Sequence, residues 1–188
     1  MRTLRTLLPC LVLALAVAVP AQTSKREHTW SPETVAALAS LPIQEGGRIK
    51  PLASYAAALL HLTHGRRDMK LDLDGDGKTE LVLTPTEWLL DVWCFPDAAA
   101  TYPLFRIENV EVYDALGIPH EGGQRFTLEY VSFATMASQG PNGVPGRSLM
   151  QLAEKYAHKE AIQRDPVESH IVNTAQQVNA YYELHQFT

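Results

Sequence analysis

The stretch "LPIQEGGRIKPLASYAAALL", residues 41–60, sets a turn signal directly against a helix signal, and reading it decides the fold. Gly46 and Gly47 supply the positive φ that a tight two-residue turn demands, so residues 43–50 predict a small β-hairpin. Pro51 then holds Lys50 in an extended conformation. From Leu52 the apolar spacing becomes helical, with Tyr55, Leu59 and Leu62 on one stripe and Ala56 and Leu60 beside it, until Gly65 provides a natural stop. Within the extended arm, Arg48 and Lys50 stand two apart and project to one side, with Ile49 expected to face the core. A basic pair preset in this way can hold a carboxylate from a partner protein or a haem propionate, arginine supplying the forked geometry. The same pair also suits a surface position that only shields a hairpin, and at this point both readings stand.

Working outward from this stretch, "SPET" starts a helix upstream: Ser31 caps it, Pro32 suits its first turn, and Val35, Leu38 and Ala39 form an apolar face that Pro42 ends. Farther back, Arg2 and Arg5 precede an apolar run from Leu7 to Val19, and Val19 and Ala21 occupy the small-residue places of a signal-peptidase site. Residues 1–21 are therefore expected to be a signal peptide. The apolar run is shorter than the roughly 20 residues a spanning helix needs. Residues 22–188 are expected to form one exported, periplasmic or extracytoplasmic helical domain, with 22–30 as a flexible leader.

Downstream, "KLDLDGDGKTELVL" is an acidic loop between two alternating apolar stretches, which predicts a second hairpin. "TPTEW" announces a helix through a capping box of Thr84 and Glu87 around Pro85. Its apolar face, Trp88, Val92 and Phe95 widened by Leu89 and Trp93, is too broad for a surface helix and marks the core helix. "YPLFRIEN" predicts a short extended segment, after which Asn109 caps a two-turn helix that Gly117 stops. Residues 119–125 and 138–146 are loops, and Ser132 is placed to cap a short helix between them. Two helices close the chain. The first is expected over 147–161 with Leu149, Leu152 and Tyr156 on one face. The second, launched by Asp165 and Pro166, runs to about Gln186 with Val167, Ile171, Thr174, Val178 and Tyr182 in register. The expected fold is mainly α, a helical domain with one or two small β-hairpins.

Composition excludes several functions. The chain has 16 basic and 21 acidic side chains. Loss of Arg2 and Arg5 with a signal peptide leaves 14 against 21, a balance that repels nucleic acid. Cys94 then stands alone in "WLLDVWCFP", so no internal disulfide forms, and its apolar neighbours suggest a buried, inert thiol. CxxC, CxxCH, GxSxG, HExxH, GxGxxG and GxxxxGK[ST] are all absent, so no enzyme class has a residue set behind it. His61 and His64 have helical ligand spacing, suited to a shared metal or a haem, or to covering the carbonyls of a helix end.

The strongest ligand-like pattern is "DLDGDGKTEL". Asp72, Asp74 and Asp76 alternate, Gly77 permits a bend, the Lys78 carbonyl can turn inward, and Glu80 takes the ninth place, together the first five ligand positions of a calcium loop. Leu83 stands where an EF-hand carries its bidentate glutamate, so a bound Ca²⁺ would be held weakly and structurally. A solvated acidic turn closing the hairpin is the plainer reading of the same residues.

The order of motifs carries a resemblance. "LPIQEGGRIKPLASYA", then "LTPTEWLLDVWCFPDAAATYPLFRIENVEVYDALGI", then "YVSFATM", then "RDPVESHIVNTAQQVNAYYELHQF" together resemble the extracytoplasmic segment of fused System II cytochrome c biogenesis proteins, over residues 38–187. In that family the segment lies beside the haem-handling membrane part. This chain lacks the family's membrane helices, its tryptophan-rich WWD haem motif and its membrane histidines, and the acidic loop stands as an insertion. The resemblance therefore implies a non-enzymatic accessory role, docking on a membrane-embedded haem-handling partner or on apocytochrome c. By position Arg48, Lys50 and Pro51 match the family's turn; whether haem touches the domain is left open. The other expectation is a secreted, calcium-stabilised protein-binding module built on Asp72 to Glu80.

Overall fold

The computed structural model describes residues 29–72, 78–118, 129–137 and 145–186, with the backbone alone at 129 and 145–148. The expected signal peptide, most of the leader, Asp74, Asp76 and the loops at 119–125 and 138–144 lie outside the described residues.

The local signals act where the chain carries them. Ser31 Oγ accepts from Thr34 N at 3.2 Å and opens α1, Pro32–Ala39, whose inner face of Val35, Leu38 and Ala39 is half-buried. Strands β1, Pro42–Glu45, and β2, Arg48–Pro51, pair antiparallel across Gly46 and Gly47, whose φ values of 57° and 75° are the left-handed pair that a primed turn requires. Pro51 leads straight into α2, Leu52–His64, and Leu52 N bonds to Leu41 O at 2.8 Å, closing the base of the hairpin. Gly65 ends α2 at φ 74°.

The buried stripe of α2 is Leu52, Ala56, Leu60, Thr63 and His64, rotated from the expected one. Tyr55 and Leu59 are half-buried, and Leu62 is 51% exposed. The neighbours that cover α2 approach from the Ala56 side, and apolar spacing alone cannot tell which of two adjacent stripes is covered.

Strands β3, Met69–Leu71, and β4, Leu81–Leu83, form the second hairpin. The core helix is α3, Pro85–Cys94, with its Thr84–Glu87 capping box in place and Trp88, Leu89 and Val92 fully buried. A single turn, α4, Pro96–Ala99, precedes β5, Pro103–Ile107. Asn109 caps α5, Val110–Leu116, and Gly117 closes it at φ 65°. Strand β6, Glu129–Ser132, returns to pair antiparallel with β5, giving a third two-stranded sheet where one or two hairpins were expected. Ser132 then caps α6, Phe133–Ala137, accepting from Thr135 N at 3.1 Å.

Helix α7 spans Pro145–Ala157, shifted toward the N-terminus from the expected 147–161. Arg164 takes its last carbonyls, those of Tyr156 and Ala157, and a 3₁₀ turn at Ala161–Gln163 follows. The longest helix, α8, Pro166–His185, starts with a second capping box of Asp165 and Glu168. It buries Ile171, Thr174, Val178 and Tyr181; Tyr182, expected in that stripe, is 48% exposed. Tyr181 is an aromatic hub, edge-on to Phe105 at 6.1 Å and tilted against Phe133 at 4.8 Å and Trp88 at 6.4 Å. Mainly helical architecture with small antiparallel hairpins is thus the fold. Among the described residues no helix is long and apolar enough to cross a membrane.

Candidate docking site

The β1–β2 hairpin has Ile43 opposite Lys50 and Glu45 opposite Arg48. Strand alternation puts these four side chains on one face and Gln44 and Ile49 on the other. Ile43 packs against the core cluster, so the face that carries Arg48 and Lys50 is the one turned toward the body. Ile49 consequently looks outward, 77% exposed, which reverses the expectation that it faces the core. Register decides the matter: a strand exchanges its two faces with a one-residue slip, and here Ile43, not Ile49, meets the helices.

The basic pair is divided by this arrangement. Lys50 is half-buried and forms an ion pair with Glu45 diagonally across the hairpin, so its charge is largely answered within the chain. The Arg48 side chain is exposed near the turn, and among the described residues it makes no ion pair or side-chain hydrogen bond. Pro51 is exposed, at φ −63° and ψ 146°, and joins the hairpin stiffly to α2. The stem therefore exposes a guanidinium on one face near the turn and an isoleucine on the other, with Leu41 47% exposed at its base.

The acidic loop is described only at its ends. Asp72, Lys78 and Glu80 are exposed, and Glu80 N bonds to Leu71 O at 3.0 Å, which draws the two ends of the loop together. Asp74 and Asp76 lie outside the described residues, among which no group of three His, Cys, Asp or Glu side chains is placed to hold a metal.

His61 and His64 do not act as a pair. His61 is exposed, whereas His64 is buried, donates from Nδ1 to Leu104 O at 3.1 Å and lies against the Tyr130 ring at 4.5 Å. Burial pulls the His64 pKa below its ordinary value, against the opposing pull of its bond to the Leu104 carbonyl. His170, on α8, repeats the arrangement two residues along β5: burial lowers its pKa while a hydrogen bond with the Arg106 carbonyl works against it. The His64 imidazole thus satisfies the Leu104 carbonyl on the strand edge that faces α2. The two imidazoles border a cleft of about 220 Å³ with Asn173, Gln177 and the Arg106–Glu108 ion pair, in which Gln177 donates to Leu62 O at 2.9 Å. Sequence reasoning missed this cluster. Its members come from positions 61 to 177, and no local spacing announces that α2, β5 and α8 converge.

Cys94, expected to be buried, is exposed. As the last residue of α3 it lies about 240° around the helix from Trp88, on the solvent side, and one residue of helical phase separates it from the half-buried Trp93.

No protein-family model matches this chain, and no curated protein matches it.

Proposed function

We propose that this domain is a non-enzymatic docking factor in cytochrome c assembly outside the cytoplasmic membrane, engaging a membrane-embedded haem-handling protein or apocytochrome c through the β1–β2 hairpin. The process comes from the resemblance to the extracytoplasmic segment of System II biogenesis proteins. The contact is suggested by one observation: Arg48 and Ile49 are both exposed, on opposite faces of a hairpin whose base is tied to α2. An exposed isoleucine on one face adds apolar area to a partner contact and an exposed arginine on the other holds a carboxylate, so a partner that clasps the hairpin from both sides would use both. Lys50 stiffens the hairpin through Glu45 and Pro51 orients it, so both act on the presentation of the tip.

Deletion of the gene tests the process. Covalently bound haem in c-type cytochromes is expected to fall while the apoproteins are still exported; unchanged covalent haem would sink the proposal. The contact is tested by Arg48→Glu with Ile49→Asp, expected to abolish complementation of the deletion while the thermal midpoint of the purified protein holds.

A second reading rests on the closed ends of the acidic loop. With Glu80 N bonded to Leu71 O beside the β3–β4 pair, the two ends of the acidic segment lie close together, and a calcium ion could be held through Asp72, Asp74, Asp76, the Lys78 carbonyl and Glu80. Saturating calcium is then expected to raise the thermal midpoint by several degrees over a chelator control, as linkage requires. Identical melts in the two conditions would remove it.

A further inference from the structure

Away from the hairpin, α6, α7 and α8 present a groove to solvent. Its main basin, about 460 Å³, runs between α7 and α8 over Ala153, Val172 and Ala175, with Glu154 on one helix and Glu183 on the other. Met150 and Asn179 also line a second basin of about 310 Å³, walled by Phe133, Met136, Val178 and Tyr182, so the two adjoin. Met150 is 38% exposed here and Tyr182 48%. The floor is apolar, and among the described residues the charged side chains that line it are carboxylates, with no Lys, Arg or His at either basin.

We propose that this groove is a second interaction surface and that its occupant is a cationic amphipathic helix of a partner protein. The floor extends from Met150 to Ala157 on α7 and from Val172 to Glu183 on α8, or roughly 10 to 16 Å at the rise of an α-helix, which suits two to three turns of a docked helix. Apolar side chains at i, i+3 or i+4, and i+7 would fill the trough, with Met150 adapting its shape to them. Lys or Arg flanking that stripe would meet Glu154 and Glu183. Charge selects this occupant over the others. An anionic lipid surface or an acidic helix would be repelled by both carboxylates. A second copy docked through the same face would place its own glutamates near these, a like-charge contact that disfavours it. The inference is independent of the hairpin and of the assembly role.

The test uses the chain from residue 22 onward and three peptides of about 18 residues: a Leu/Lys amphipathic helix, a scramble of the same composition, and a Leu/Glu counterpart. Calorimetry at about 0.1 M salt and amide shift mapping are the readouts. The Leu/Lys helix is expected to bind and to shift the amides of Ala153, Ala175 and Asn179. The scramble and the Leu/Glu peptide should bind at least about tenfold more weakly. Glu154→Lys with Glu183→Lys should weaken the Leu/Lys helix by a similar factor, and Ala157→Trp, at an exposed wall position, should block it without lowering the thermal midpoint. Equal binding of the scramble, indifference to the charge reversal, or shifts located elsewhere would each overturn the proposal. So would a concentration-dependent dimer that Ala157→Trp dissociates, because the occupant would then be a second copy.

Discussion

Tyr181 is fully buried among Phe105, Phe133 and Trp88, and its hydroxyl finds no hydrogen-bond partner among the described residues. Burial alone drives its pKa well above the ordinary tyrosine value. A buried hydroxyl without a partner costs about 1–3 kcal/mol, whereas the ring supplies the packing. Tyr181→Phe is accordingly expected to leave the denaturant midpoint unchanged or to raise it; a loss above about 1 kcal/mol would show that the hydroxyl is satisfied. The histidines make the opposite case. His64 and His170 both have folded pKa values below their unfolded value near 6.5, so the unfolded chain binds more protons in that window. Stability is therefore full above about pH 7 and declines as pH falls through 6.5 toward the depressed folded values, where the slope vanishes. Arg66 beside His64 and Arg106 beside His170 lower the pKa further, while Asp68 and Glu108 oppose the shift without reversing it. Thermal melts between about pH 7.5 and 5 should show this decline, and His170→Gln, which keeps a donor for the Arg106 carbonyl, should flatten it. A decline of the same steepness in that variant would place the titration elsewhere.

At the scale of the element, the two capping boxes are the clearest case of local chemistry fixing structure. Thr84 Oγ1 accepts from Glu87 N at 3.4 Å, and the Glu87 carboxylate returns to Thr84 N at 2.8 Å. Thr84→Ala is expected to cost about 1 kcal/mol, and Thr84→Ser to restore it. Asp165 and Glu168 form the second box, and Glu168 also takes Lys159, which ties the start of α8 back to the segment after α7. Such caps, together with Gly46, Gly47, Gly65 and Gly117 at positive φ, are the features that the sequence made legible, because the cause and the effect lie within four residues. What stayed hidden is long-range. The β5–β6 pair joins Phe105 to Val131, and no turn signal next to "YPLFRIEN" names its partner. Ile49 turns outward against expectation for the same reason: alternation gives two faces, and only the distant helices decide which is covered. The candidate site was legible as a rigid basic turn but not as an Arg48–Ile49 tip, since the Lys50–Glu45 pairing depends on that orientation.

On the scale of the whole molecule, α8 joins what the local elements leave separate. It touches α2, α3, α5, α7 and β5, and it brings Ile171, Val178, Tyr181 and Leu184 into the core shared by helices far apart in the chain. At the other end, Trp30 donates to the buried carboxylate of Asp91 at 2.7 Å and rests on Phe95 at 5.7 Å, so even the segment before α1 is anchored to α3. Because each small sheet is only two strands, none holds together without the helices behind it, and the hairpin tip cannot be presented by a fragment. One cooperative transition is therefore expected for the chain from residue 22 onward, with far-UV ellipticity and tryptophan fluorescence giving the same midpoint. In a variant with Trp88 and Trp93 both replaced by Phe, the remaining Trp30 should report that same transition, at whatever lower midpoint the core changes impose. A chain ending at Arg164 should show no cooperative melt, since the apolar surface that α8 covers on α2, α3 and β5 would be left in water. If Trp30 melted well before the ellipticity, or the truncated chain still unfolded cooperatively, the α1 end and the α8 end would be separate units, and the hairpin would have to be treated as a module in its own right.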